Sequence, residues 1–160
     1  MNRLARVMLI AGVLGAGVVA CSDQERDTAV NVADDDPEML AAIAEARRTL
    51  PGFWAVFEKA EPGDSDFALK VRVAHRTGAE HLWVTDIARR DGKILGTINN
   101  DPTVVASVKL GDRIEILESD ISDWTYLRNG KIVGNRTIRV LFKQMPATEV
   151  ERIKRMLADP

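Results

Sequence analysis

One cysteine, two histidines and one tyrosine in 160 residues leave little material for the usual site chemistries. A lone Cys21 excludes an intramolecular disulfide. Without histidine and cysteine pairs at ligand spacing, a zinc site has no donors. The run Asp120-Ile121-Ser122-Asp123 lacks the alternating acids and central glycine of a calcium loop. No serine stands in a Gly-x-Ser-x-Gly elbow, and the glycines are scattered over turns instead of forming a phosphate-cradling run. No metal or cofactor is therefore expected. Charge of one sign is lacking too: 22 basic residues face 24 acidic ones, which gives no electrostatic footprint for nucleic acid.

A long apolar run is also missing. The uncharged stretch at residues 7–19 falls short of the roughly 20 residues that span a bilayer. It follows Arg3 and Arg6, contains Gly12, Gly15 and Gly17, and ends in Val18-Val19-Ala20-Cys21. A charged start, a short apolar centre and small residues before a cut are the parts of an export signal. The final tetrapeptide resembles the bacterial lipobox, in which the cysteine is acylated. The expected organisation is a lipoprotein signal peptide at 1–20, a lipidated Cys21 with an acidic flexible tether at 21–36, and one α+β domain at 37–160. Losing Arg3 and Arg6 leaves 20 − 24 = −4 for the mature chain. By resemblance to lipoprotein sorting, Ser22 after the cysteine implies a lipid-anchored protein facing the periplasm, on the outer membrane in preference to the inner.

Within the domain, Asp36, Pro37 and Glu38 form a helix start. Leu40, Ile43, Arg47 and Leu50 share a side, and Pro51-Gly52 is expected to end the helix. A second short helix would carry Phe53, Trp54, Val56 and Phe57, whose expected role is core packing. From Phe67 the pattern changes to period two, with Leu69, Val71 and Val73 alternating with Lys70 and Arg72. Strands are expected at 80–89, 94–98, 104–110, 114–117, 126–127 and 132–133. Asp91-Gly92 and Asn129-Gly130 are hairpin turns, which require antiparallel neighbours. Ile138, Leu141, Phe142 and Met145 have helical spacing. Beyond Pro146, Thr148 and Glu151 form a capping box before Val150, Ile153 and Leu157. The fold class is α+β: an antiparallel curled meander with N-terminal and C-terminal helices packed on it.

Glu80-His81-Leu82-Trp83-Val84 with Asp86 is followed by Gly96 through Asn100-Asp101-Pro102. Leu110-Gly111-Asp112 then leads to Asp120 through Tyr126, and on to Asn129 through Gly134. This ordered set resembles the YegJ-type bacterial domain of unknown function (DUF family 2314), from about Asp36 to Met156. The resemblance implies a single-domain fold and supplies no reaction. The family often continues after Gly134 with a glycine and an aromatic, where this chain has Asn135 and Arg136.

The residues themselves offer one polar constellation: Glu80, His81, Trp83 and Asp86 on one strand, and Asp120, Asp123 and Trp124 in a following loop. A carboxylate on one ring nitrogen would fix the His81 tautomer and make it a general base, so His81 and Asp123 are the catalytic candidates. The plainer reading has Asp120 and Asp123 capping the turn with Ser122, while Trp124 packs. Three function classes follow. One is a non-enzymatic binding or scaffold module, anchored to the membrane by its lipid and contacting an envelope protein through a Trp83/Trp124 side of the sheet. The others are a hydrolase using His81, and an inhibitor or immunity-type protein. The sequence sets no oligomeric state.

Overall fold

The computed structural model describes residues 36–76 and 78–158. The expected signal peptide, Cys21 and the expected tether up to residue 35 lie outside them. Helix α1 (Pro37–Glu58) starts where Asp36 accepts the Met39 N–H at 2.8 Å. It continues through Pro51 as a single helix, against the expected break. An interior proline costs about 3 kcal/mol. Here it lies on the exposed side, while its neighbours Leu50, Phe53 and Trp54 bury their side chains on the sheet and hold the helix together. The inward stripe runs Ala46, Leu50, Phe53 and Trp54. Extended backwards it passes through Ile43 and Met39, so Leu40 falls one position off the stripe and is half exposed.

Six strands form one antiparallel sheet in the order β4-β3-β2-β1-β5-β6. They are β1 (Asp64–His75), β2 (Gly78–Arg90), β3 (Lys93–Ile98), β4 (Arg113–Ile116), β5 (Ile121–Arg128) and β6 (Lys131–Gly134). The first four make a meander; the chain then returns so that β5 pairs with β1. Asp91 and Gly92 both take positive φ, 54° and 75°, as the tight β2–β3 turn requires. Residues 121–124, expected in a loop, begin β5 instead. Residues 104–110, expected as a strand, form no regular element.

The register assigns faces. Leu69 lies opposite Val84 on one side and Trp124 on the other, so these three share the face under α1. Their cluster includes Leu50, Phe53, Trp54, Leu82, Ile98, Ile116 and Tyr126. The sheet curls enough that Val71 and Val73 of β1 line one shallow groove with Ile114, Ile116 and Leu117 beyond two intervening strands. After β6 come α2 (Arg136–Leu141), a short 3-10 turn and α3 (Ala147–Met156). The expected capping box fails: α3 begins at Ala147, and the Pro146 carbonyl accepts the Glu149 and Val150 N–H groups. Thr148 is thus inside the helix. Among the described residues, no helix is long and apolar enough to cross a membrane.

The long connection between β3 and β4 is held from a distance. Glu80 accepts the N–H groups of Thr103, Val104 and Val105 and the Thr103 hydroxyl, at 2.8–3.1 Å. The clamp seats Val105 in the interior. It also gives these backbone donors a partner other than a strand. Burial works to raise the Glu80 pKa, but the four donors outweigh it and hold the carboxyl below its ordinary value.

Two predictions follow from this packing. Phe53→Ala should lower stability by about 3–5 kcal/mol in urea unfolding, as for other fully buried aromatic residues. Glu80→Gln should lower it by about 1 kcal/mol at pH 7, because a charge-assisted clamp becomes a neutral one. The folded pKa of Glu80 is depressed, so its contribution is present above the unfolded value of about 4.3 and is lost as pH falls through the lower folded value. The gap between wild type and Glu80→Gln should therefore narrow steadily in unfolding curves taken at successively lower pH below about 4.3. A gap that does not change with pH would remove the carboxylate from the explanation.

Candidate functional site

Lys70 lies in the middle of the sheet, opposite Trp83 on β2 and opposite Asp123 on β5. Strand pleating therefore puts Trp83, Lys70 and Asp123 in one row on the face away from α1. Trp124, one residue after Asp123, points the other way. Its ring lies 5.5 Å from Phe53, and its indole N–H donates to the Ala46 carbonyl at 2.9 Å. The expected common Trp83/Trp124 side does not exist, because adjacent strand residues take opposite faces. Trp124 is 5 % exposed and belongs to the core.

Asp123 is fully buried. One carboxylate oxygen accepts the Trp124 N–H at 2.9 Å; the other accepts both the N–H and the hydroxyl of Thr137 at 2.8 Å. Thr137 is in the first turn of α2, so Asp123 caps that helix from a neighbouring strand. The capping role expected for Asp123 is thus present, but on a helix distant in sequence. The Lys70 ammonium donates to the Thr137 hydroxyl at 3.1 Å and lies 5.2 Å from the centre of the Trp83 ring. Burial pushes the Lys70 pKa down, opposed by the negative charge of Asp123.

His81 is on the same face, opposite Arg72. Its Nδ1 lies 2.7 Å from the Ser122 hydroxyl, which itself lies 3.1 Å from the Lys70 carbonyl. Ser122 is 1 % exposed, and its single hydroxyl proton serves the Lys70 carbonyl or His81 Nδ1 according to the imidazole tautomer. Glu80 is occupied by the loop clamp. Asp86 sits at positive φ, 48°, in an irregularity between Thr85 and Ala88 where β2 bulges against β3. Asp120 ends a 3-10 turn before β5.

The structure thus brings His81, Trp83 and Asp123 to one face, sends Trp124 to the other, and gives Glu80 and Asp86 to loop and strand geometry. Sequence reasoning missed Lys70 and Thr137. Lysine on the wet side of an alternating strand carries no special signal, and nothing in Asn135-Arg136-Thr137 announces a partner fourteen residues away. Among the described residues, no group of three His, Cys, Asp or Glu side chains is arranged to hold a metal ion. Two shallow clefts lie elsewhere: one beside Arg128, Lys131 and Leu157, the other the groove of about 250 Å³ between β1 and β4.

Comparison with known proteins gives a consistent result. Residues 36–157 match the family described as "Uncharacterized protein conserved in bacteria (DUF2314)". The chain is 36% identical over 132 residues to the uncharacterized protein YegJ of Escherichia coli strain K12, covering 82% of this chain and 84% of that protein. It is 31% identical over 137 residues to a putative ankyrin repeat protein of Neisseria meningitidis serogroup B, covering 81% of this chain and half (50%) of that longer relative. No solved structure matches. This antiparallel α+β domain, with its helix-capping Asp123, belongs to the DUF2314 family of conserved bacterial proteins.

Proposed function

We propose that the chain is an envelope lipoprotein, anchored through Cys21 and facing the periplasm, whose domain is a non-enzymatic binding or scaffold module. The observation that carries the binding reading is how the polar constellation spends its groups. Asp123 holds Trp124 and Thr137, Glu80 holds the 103–105 backbone, and the Ser122 hydroxyl bridges His81 and the Lys70 carbonyl. A buried polar network satisfied this way rigidifies a fold. Exposed apolar side chains lie elsewhere, at Val104, Leu110 and Leu117 on either side of β4. The Neisseria relative, a putative ankyrin repeat protein, carries a similar segment beside other sequence, which suits a domain used as a module.

Anchoring is tested by metabolic labelling with a fatty acid. Wild type should take up label and Cys21→Ser should not; an unlabelled wild type would sink the anchor. The binding reading is tested by screening ester, peptide and glycan substrates with wild type and His81→Gln. No turnover above background is expected from either. Turnover that vanishes in His81→Gln, with circular dichroism unchanged, would make the domain a hydrolase, since general-base loss typically costs ~10²–10⁴-fold.

A further inference from the structure

β4 ends the sheet on one side. The direction of its backbone groups follows from two hydrogen bonds. Asn99 N–H donates to the Trp83 carbonyl at 2.8 Å, which turns the odd-numbered residues of β3 toward β2. Ile98 N–H donates to the Asp112 carbonyl at 2.9 Å, which turns the even-numbered ones toward β4. Because Gly96 faces Ile114 and Ile94 faces Ile116, those pairs are the bonded ones. Arg113 and Glu115 therefore direct their N–H and C=O groups outward. Their side chains are exposed, while Ile116 belongs to the core and Ile114 packs against it. Leu110 and Leu117, 41 % and 62 % exposed, flank the strand at its two ends.

We propose that the partner of this surface is a second copy of the chain, with β4 pairing antiparallel to β4 across a twofold axis at Ile114. This rests on the binding reading above and names its partner. The charges select the register. Pairing must keep Ile114 and Ile116 on one face, which leaves arrangements centred on Arg113, Ile114 or Glu115. Centring on Arg113 sets arginine against arginine; centring on Glu115 sets glutamate against glutamate. Centring on Ile114 sets each Arg113 against the Glu115 of the other copy, an opposite-charge cross-strand pair made twice, beside the exposed Lys93–Glu115 ion pair at 3.0 Å within each chain. In that register the outward backbone groups of Arg113 and Glu115 meet as a bonded pair and satisfy each other. Leu117 of each copy falls opposite Gly111 of the other. The same patch serves both copies, as a closed twofold contact requires.

Cross-linking tests the register directly. In full-length chain carrying Cys21→Ser, Ile114→Cys puts the only two thiols on the axis, in a non-bonded pair whose Cα atoms lie about 4.5–5.5 Å apart, within disulfide range. Ile116→Cys would instead stand about 13 Å from its counterpart, too far to bridge. Ile114→Cys should form a covalent dimer on mild oxidation, and Ile116→Cys should not. Equal dimer from both, or none from Ile114→Cys, overturns the proposal. Sedimentation gives a second measure without cysteines. Arg113→Glu should weaken dimerisation of the Cys21→Ser chain about tenfold, and adding Glu115→Arg should restore it. A chain that sediments as a monomer at every concentration, or one whose dimer ignores these charges, also overturns it. Neither result bears on labelling or turnover, so failure here is distinct from failure of the anchoring or binding reading.

Discussion

The seat of Trp124 against α1 is the contact on which the rest of the domain depends. Its ring meets Phe53 and stacks on Tyr126, its indole N–H holds the Ala46 carbonyl, and the Arg136 guanidinium lies 5.2 Å from its ring centre. Four elements are thereby tied to one side chain: α1, β5, β6 and α2. β6 is included because Gly134, at φ 82°, passes so close that a Cβ there would fall 2.4 Å from the Trp124 carbonyl and 2.6 Å from its ring. Only glycine allows that approach. Burying an indole of this kind contributes roughly 3–5 kcal/mol, a large share of what holds a small domain together.

Asp123 performs the complementary task one residue earlier and on the opposite face. Period-two geometry lets neighbouring residues of one strand anchor a helix on one side and cap a different helix on the other. The carboxylate holds the first turn of α2, and its charge makes the half-buried Lys70 ammonium tolerable between Thr137 and Trp83. Each member compensates another, and a buried charge left unpaired would be costly.

Local signals gave a fair account of the elements. The turn residues Asp91-Gly92 and Asn129-Gly130 fall where strands reverse, and the alternation through Leu69, Val71 and Val73 marks the core face of β1. These are short-range effects of allowed φ and of side-chain period, and they need no knowledge of neighbours. The misreadings share one cause. Pro51 argued for a break, but contacts made by Phe53 and Trp54 with a sheet far along the chain outweighed a local cost of about 3 kcal/mol. Residues 104–110 have strand composition, but Glu80 takes the backbone donors of Val104 and Val105 at their start.

The sequence by itself determined the α+β class, the antiparallel pairing and the start of α1, and it set out an export signal with Cys21 at its end as an expectation. Each rests on residues adjacent or nearly so. What only the tertiary structure decided is which face each polar residue occupies and what it meets there. Lys70 gains its meaning from pairing with two strands at once, Asp123 from a helix that begins beyond the next hairpin, and Trp124 from a helix residue 78 positions away. A shift of register by one residue would reverse every one of those faces. Register is set jointly by the whole core, so no single stretch of sequence carries it.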